Sequence, residues 1–259
     1  MRSGTKPTRR DLGGDQVEGR QAVRELLVAG RRRVHEIMVH LGEDGRGPLH
    51  DLVDLAGKSR VPVKHVAAGK LAAAARTEAP QGVVARCAPL EEVELDSLVK
   101  RRKGKVPFLV AVDGVTDPGN LGALLRAAET AGVTGVVLPR HRSVHITPTV
   151  AKAAAGAIEH LPMTVVPGLP AALERMKADG VWVVGLDGAG STRIDTLTLA
   201  SEPLVLVLGA EGRGLSPLVR KRCDVVAAIP LRGHLASLNV AAAAAIACYE
   251  VARQRALAD

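Results

Sequence analysis

The chain has 259 residues, 47% of them hydrophobic, which is enough for a substantial core in one large domain or two modest ones. Aromatic residues amount to 1% (Phe108, Trp182 and Tyr249), so the core is built from Ala, Val and Leu, and a nucleic-acid reader that stacks bases on aromatic platforms is disfavoured. The formal net charge of +8 suits a polyanionic or acidic partner, although an arginine-rich composition with no nucleic-acid role gives the same sum.

The basic residues are clustered. "KRRKGK" spans Lys100 to Lys105, "GRRRVH" holds Arg31, Arg32 and Arg33, and "MRSGTKPTRR" opens the chain. Residues 1–15 read as a disordered basic tail. The three cysteines, Cys87, Cys223 and Cys248, lack CxxC spacing, which argues against a disulfide framework and against a zinc site, so no metal is expected. No uncharged apolar run reaches the roughly 18 residues of a membrane helix. The basic start is not followed by an apolar stretch, as a secretory signal would be. A cytoplasmic protein that does not enter the membrane is expected.

In chain order, "VEGRQAVRELLVAG" predicts a helix with Val17, Ala22, Val23, Leu26 and Leu27 on its apolar face and Gly30 as its stop. "VHEIMVH" reads as a strand, "PLHDLVDLAGKS" as a helix opening on Pro48, "VPVKHV" as a strand, "AGKLAAAART" as a short helix and "QGVVARCA" as a strand. Residues 16–90 therefore form a small alternating domain. The charged stretch 91–106, between Pro89 and Pro107, reads as a linker. A second alternation fills 107–259: strand "FLVAVDGV", helix "NLGALLRAAETAG", strand "VTGVVLP", helix "TPTVAKAAAGAIEH", strand "MTVV" and helix "LPAALERMKADG". Strands "VWVVGLDG" and "PLVLVLG" follow, then helix "SPLVRKRCD" with Ser216 as cap, strand "VVAAIP", and a last helix from near Ser237. Continuous apolar strands separated by helices predict an α/β fold with a parallel sheet covered on both faces.

Ligands of such sheets bind at the carboxyl ends of strands. Three ends concentrate Gly and polar residues: "DGVTDPGNLGALLR", "LGAEGRGLS" and "IPLRGHLASLN". None is a P-loop, a GxGxxG dinucleotide turn or a GxSxG nucleophile elbow. Each alone is explained by turn-making. Together they carry polar residues with no evident structural duty. Asn120 is placed at the cap of its helix, Arg126 lies off the apolar face, and Glu211 stands between Gly209 and Gly212 at a strand end. Ser237 can cap the last helix, but Asn239, two residues on, exceeds what a cap requires.

"DPGNLGALLRAAETAGV", "LVLGAEGRGLS" and "IPLRGHLASLNVAAAAAI" resemble, in order, the three motifs of the SpoU-type RNA ribose 2′-O-methyltransferases of the SPOUT superfamily. "VEGRQAVRELL" and "PQGVVA" are similar to the start and end of the small L30e-like RNA-binding domain of the members that methylate a 23S rRNA guanosine. The resemblance implies a catalytic domain with a C-terminal trefoil knot, S-adenosylmethionine as cofactor, and a homodimer with the active site at the subunit interface. Carried over to matching positions, it makes Asn120, Arg126, Glu211, Ser237 and Asn239 the catalytic set. Glu211 and Asn239 are expected to orient Arg126. The cofactor is expected against Gly209, Ala210, Gly212, Ile229, Leu231 and Leu238. Ala127, Ala154 and Ala241 depart from the Ser or Thr common in the family, the last two at positions expected near the cofactor. His234 is read as an ordinary loop histidine.

The resemblance implies methylation of ribosomal RNA, with a large-subunit guanosine as the first choice. A resistance methyltransferase acting on another nucleotide has the same two-domain plan, and a non-catalytic RNA-binding or ribosome-assembly protein would carry the same basic patches.

Overall fold

The structure is a computed structural model and describes residues 12–41, 48–101, 104–141 and 145–258. The first unit contains β1 (Gln16–Glu18), α1 (Arg20–Ala29), β2 (Val34–Val39), α2 (Pro48–Lys58), β3 (Val63–His65), α3 (Ala68–Ala74) and β4 (Val83–Cys87). Its four strands lie in the order β1-β4-β2-β3, antiparallel except for the β2–β3 pair. Val17, Ala22, Val23, Leu26 and Leu27, all on the predicted apolar face, enter its core, but Val17 does so from a strand: the helix starts at Arg20. Gly30 ends α1 in the left-handed conformation, φ 58°, as a C-terminal stop should.

The second unit holds α4 (Leu95–Val99), β5 (Phe108–Asp113), α5 (Pro118–Thr130), β6 (Gly135–Pro139), α6 (Pro148–Ala153), β7 (Met163–Val166) and α7 (Leu169–Ala178). It continues with β8 (Trp182–Leu186), β9 (Thr192–Arg193), β10 (Leu204–Gly209), α8 (Pro217–Arg222), β11 (Val225–Ala228) and α9 (Val240–Ala258). Its seven strands are all parallel, in the order β7-β6-β5-β10-β8-β11-β9. Side chains alternate across the sheet, so both faces are filled. Phe108, Val110 and Val112 pack beneath α5, α6 and α9, while Leu109 and Ala111 pack beneath α4, α7 and α8.

Three expected boundaries move. Of the expected tail, residues 1–11 lie outside the described residues, whereas Leu12 is buried and its N–H donates to the Leu90 carbonyl at 3.1 Å. The stretch read as a linker is packed: α4 puts Leu95 and Leu98 into the core, and the Glu92 carboxylate accepts the Val165 N–H at 2.8 Å. The helix expected over 147–160 is interrupted after Ala153, because Ala155 (φ 49°) and Gly156 (φ 91°) both take positive φ. A Cβ at Gly156 would collide with the Glu25 side chain of α1, so the interruption is where the two units touch.

That contact is polar and closed. Arg32 and Glu159 form an ion pair with side chains 4% and 1% exposed. The Arg32 guanidinium also donates to the carbonyls of Gly14 (2.6 Å) and Ala88 (2.8 Å). Beside it, His160 meets Glu25 at 3.0 Å.

Candidate active site

The β10–α8 loop is shaped by its glycines. Ala210 and Gly214 exchange both backbone hydrogen bonds (3.1 and 2.9 Å), closing the loop on itself. A Cβ at Gly209 would run into the Gly214 backbone, so only glycine permits this closure. Glu211 is lifted to the rim, exposed to solvent. On the other side of β10, the Asp113 carboxylate at the end of β5 accepts the Ser216 N–H at 2.7 Å, tying two strand ends together. Ser216 precedes α8 as expected, but its side chain makes no capping bond.

α5 begins earlier than expected. Asp117 is its N-cap, with the carboxylate accepting the Asn120 N–H at 2.6 Å and Pro118 in the first turn. Asn120 is therefore not the cap, and its side-chain amide is free for another role. It donates to Glu211 Oε2 at 3.2 Å and accepts at Oδ1 from Asn239 Nδ2 at 2.8 Å. All three motifs are joined by this chain of side chains.

The last helix starts at Val240, not near Ser237. Asn239 is the residue that caps it: its Oδ1 accepts the N–H groups of Ala241 (2.9 Å) and Ala242 (3.3 Å). Ser237 is left exposed in the preceding loop. Asn239 thus caps the helix through its oxygen and reaches Asn120 through its nitrogen. The expected orientation of Arg126 by Glu211 and Asn239 is not observed. Both side chains engage Asn120, and Arg126 stands exposed on α5 with neither of them as a partner.

A cavity of about 400 Å³ opens between the two loops. All six expected cofactor positions line it, Gly209, Ala210, Gly212, Ile229, Leu231 and Leu238, together with Glu211 and Ser237. Asn120, Arg126 and Asn239 do not line it; Asn120 lies in an adjoining cavity that shares Ala210, Glu211, Arg213, Gly214 and Val240 with the first. Neither Ala154 nor Ala241 lines either cavity, and Ala154 is fully buried. Sequence reasoning missed the wall supplied by Leu186, Asp187 and Gly188 at the end of β8. Its signal was a fourth strand end, "GLDG", with the same Gly-and-carboxylate character as the three singled out. Burial works against the Asp187 carboxylate, but the Ala189 N–H and the Arg220 guanidinium, 2.7 Å away, hold it below the usual range. The volume suits a small-molecule site, typically about 300–1,000 Å³. Its apolar walls and few polar rim groups suit a nucleoside-like ligand better than a bare anion. Among the described residues, no group of three His, Cys, Asp or Glu side chains is arranged to hold a metal ion.

Residues 107–249 match the SpoU rRNA methylase family. The chain belongs to that family. Residues 16–93 match the family's companion module, described as RNA 2′-O ribose methyltransferase substrate binding. The chain is 40% identical over 244 residues to YacO of Bacillus subtilis, whose description places it in the TrmH family of tRNA/rRNA methyltransferases; the match covers 93% of this chain and 96% of that one. A relative of the same description in Staphylococcus saprophyticus is 39% identical, over 92% of this chain and 95% of its own. Among solved structures, the SpoU methyltransferase AviRb of Streptomyces viridochromogenes superposes with a TM-score of 0.77 at 25% identity, over 94% of this chain and 90% of that one. The AdoMet-bound rRNA methyltransferase of Sinorhizobium meliloti gives 0.74 at 25%, over 92% and 87%. The SpoU chain is accordingly an RNA methyltransferase of two modules, with an α/β catalytic unit carrying a seven-stranded parallel sheet.

Proposed function

We propose that this SpoU protein methylates the 2′-hydroxyl of a ribose in RNA, with S-adenosylmethionine as methyl donor and a guanosine of 23S rRNA as the target. The observation that carries the reading is the cavity itself. All six expected cofactor residues line it, and the Asn239–Asn120–Glu211 chain borders it.

When bound, the cofactor supplies a methyl group already activated by a sulfonium charge. The chain's own residues have three tasks. The backbone and apolar side chains of Gly209, Ile229 and Leu238 hold the adenosine part. Asn120, Glu211 and Asn239 keep the three loops in register, and positioning of this kind supplies several kcal/mol in an in-line transfer. Arg126 serves the ribose. Its guanidinium offers planar, cationic N–H donors that grip the neighbouring phosphate and stabilise the emerging oxyanion.

Arg126 lies outside its own chain's cavity, which supports an active site completed across a homodimer. α9 offers a face for such a partner: Ile246 and Tyr249 are 43% and 66% exposed, one turn apart, and Leu235 before the helix is 81% exposed. In this reading the segment from β8 to α9 forms the trefoil knot, and the protein works in the cytoplasm; no helix among the described residues is long and apolar enough to cross a membrane.

Calorimetric titration with S-adenosylmethionine and methylation of ribosomal RNA test the proposal, with mapping of the modified nucleotide to decide between the guanosine and another site. Absence of cofactor binding in the micromolar range would favour the ribosome-assembly reading. Arg126→Lys should lose most turnover while keeping cofactor affinity, because Lys cannot reproduce the planar fork. Mixing it with a cofactor-cavity variant should restore part of the activity if the sites are shared between subunits. Near-normal turnover of Arg126→Lys alone removes Arg126 from the mechanism.

A further inference from the structure

The two internal basic runs of the sequence, Arg31–Arg33 and Lys100–Lys105, play no part in the cavity just described. In the fold, Arg31 of the first run comes together with Lys100 and Lys105 of the second. A cavity of about 740 Å³ is lined by Arg31, Lys100 and Lys105, over an apolar floor that includes Leu98, Val133 and Leu161. Lys100 and Lys105 precede β5, Val133 precedes β6 and Leu161 precedes β7. This cavity therefore opens at the amino ends of the strands. The candidate active site follows their carboxyl ends, and a strand of six residues such as β5 separates the two by about 20 Å.

The cations here are available for a ligand. Among the described residues neither Lys100 nor Lys105 forms an ion pair, and both are exposed. Arg31 is exposed too, and its guanidinium is steadied by the His160 carbonyl at 3.2 Å. Its position is set by its neighbour Arg32, which is clamped to Glu159. Glu129 is the acidic residue in the lining, so basic side chains outnumber it. Arg31 comes from the module matched to substrate binding, and the lysines lie between that module and the catalytic one. Dispersed Lys and Arg without aromatic platforms suit phosphates rather than base edges, and give a contact that positions without reading sequence.

We propose that this cavity is a second RNA-contact site, holding the phosphate backbone of the substrate at a point remote from the methylated ribose. The proposal rests on the RNA methyltransferase reading. It is tested with the full chain carrying Arg31→Ala, Lys100→Ala and Lys105→Ala, and separately with Glu129→Lys. Affinity for a labelled large-subunit rRNA fragment is measured across a salt series, alongside KM, kcat and calorimetric affinity for S-adenosylmethionine.

The triple variant should flatten the dependence of log affinity on log salt by about 2–3, as expected for the loss of three phosphate contacts. Its KM for RNA should rise, while kcat at saturating RNA and cofactor affinity stay at wild-type values. Glu129→Lys should act in the opposite sense, tightening binding and steepening the slope. A triple variant with wild-type slope and KM overturns the site, as does one whose cofactor affinity falls in step with its RNA affinity. Wild-type protein that neither binds cofactor nor methylates RNA defeats the functional reading instead, which keeps the two failures distinct.

Discussion

Asn239 carries two bonds of different kinds on one amide, and substitution can separate them. Asn239→Asp keeps an oxygen for the Ala241 and Ala242 N–H groups but loses the donor to Asn120. It should retain stability and lose activity. Asn239→Ala loses the cap as well, at about 1 kcal/mol. Urea unfolding and methyl transfer measured on both variants check this; equal stability losses would mean that the cap is not the stabilising bond. Asp187 gives a pH-dependent case. Its folded pKa lies below the unfolded value of 3.8, so its stabilising contribution is complete above 3.8 and is lost as pH falls through the lower folded value. Asp187→Asn should therefore melt below wild type at neutral pH, with the difference closing in acid below 3.8. A difference independent of pH would mean that the Arg220 pair and the Ala189 bond contribute nothing as charged interactions. The polar residues of the site were legible because residues such as Glu211 had no structural duty in their local pattern. Their connections were not: that Asn120 bridges Glu211 and Asn239 depends on loops far apart in sequence, and Asp187 was hidden in a short turn like many others.

At the scale of elements, alternation and periodicity identified nearly every strand and helix of the sheet, because buried parallel strands are continuous apolar runs. The failures have a common cause. Strand β1 pairs with β4, the packed α4 segment enters the core of the catalytic unit, and the break after α6 lies against α1: all three are set by contacts remote in sequence, to which local pattern is blind. α9 shows how finely an element can differ along its length. Ala243 faces the candidate cofactor cavity, whereas Ala244, one residue on, is fully buried against the sheet. The alanine run is thus required for two reasons. Ala244→Leu should lower stability by roughly 1–3 kcal/mol through overpacking. Ala243→Leu should leave the melting temperature close to wild type and weaken S-adenosylmethionine binding by filling the cavity. Thermal melts and calorimetry on the pair distinguish them, and a Leu at 244 tolerated without loss would show that the helix seat is looser than its burial indicates.

The molecule as a whole depends on how its substrate-binding and catalytic units are held. Arg32 and Glu159 are buried at their junction, and Arg32 also satisfies the Gly14 and Ala88 carbonyls. Removing one member of a buried pair strands the other charge, at about 3–5 kcal/mol, whereas replacing both with apolar residues of similar size is often close to neutral. Glu159→Gln should thus destabilise strongly. Arg32→Met combined with Glu159→Leu should recover most of that loss, less the cost of two carbonyls left without their donor, about 1–3 kcal/mol each if they remain buried. If the pair serves mainly to fix the two units in register, the double variant should still methylate poorly. Its KM for RNA should rise, because Arg31 and the active site would no longer be held at a set separation, while cofactor affinity stays unchanged. Urea unfolding gives the stabilities, and steady-state kinetics with RNA and cofactor give the rest. A single Glu159→Gln variant costing less than about 1 kcal/mol would show that the junction is not closed to water, and normal KM in the double variant would show that register is kept by the surrounding apolar contacts alone.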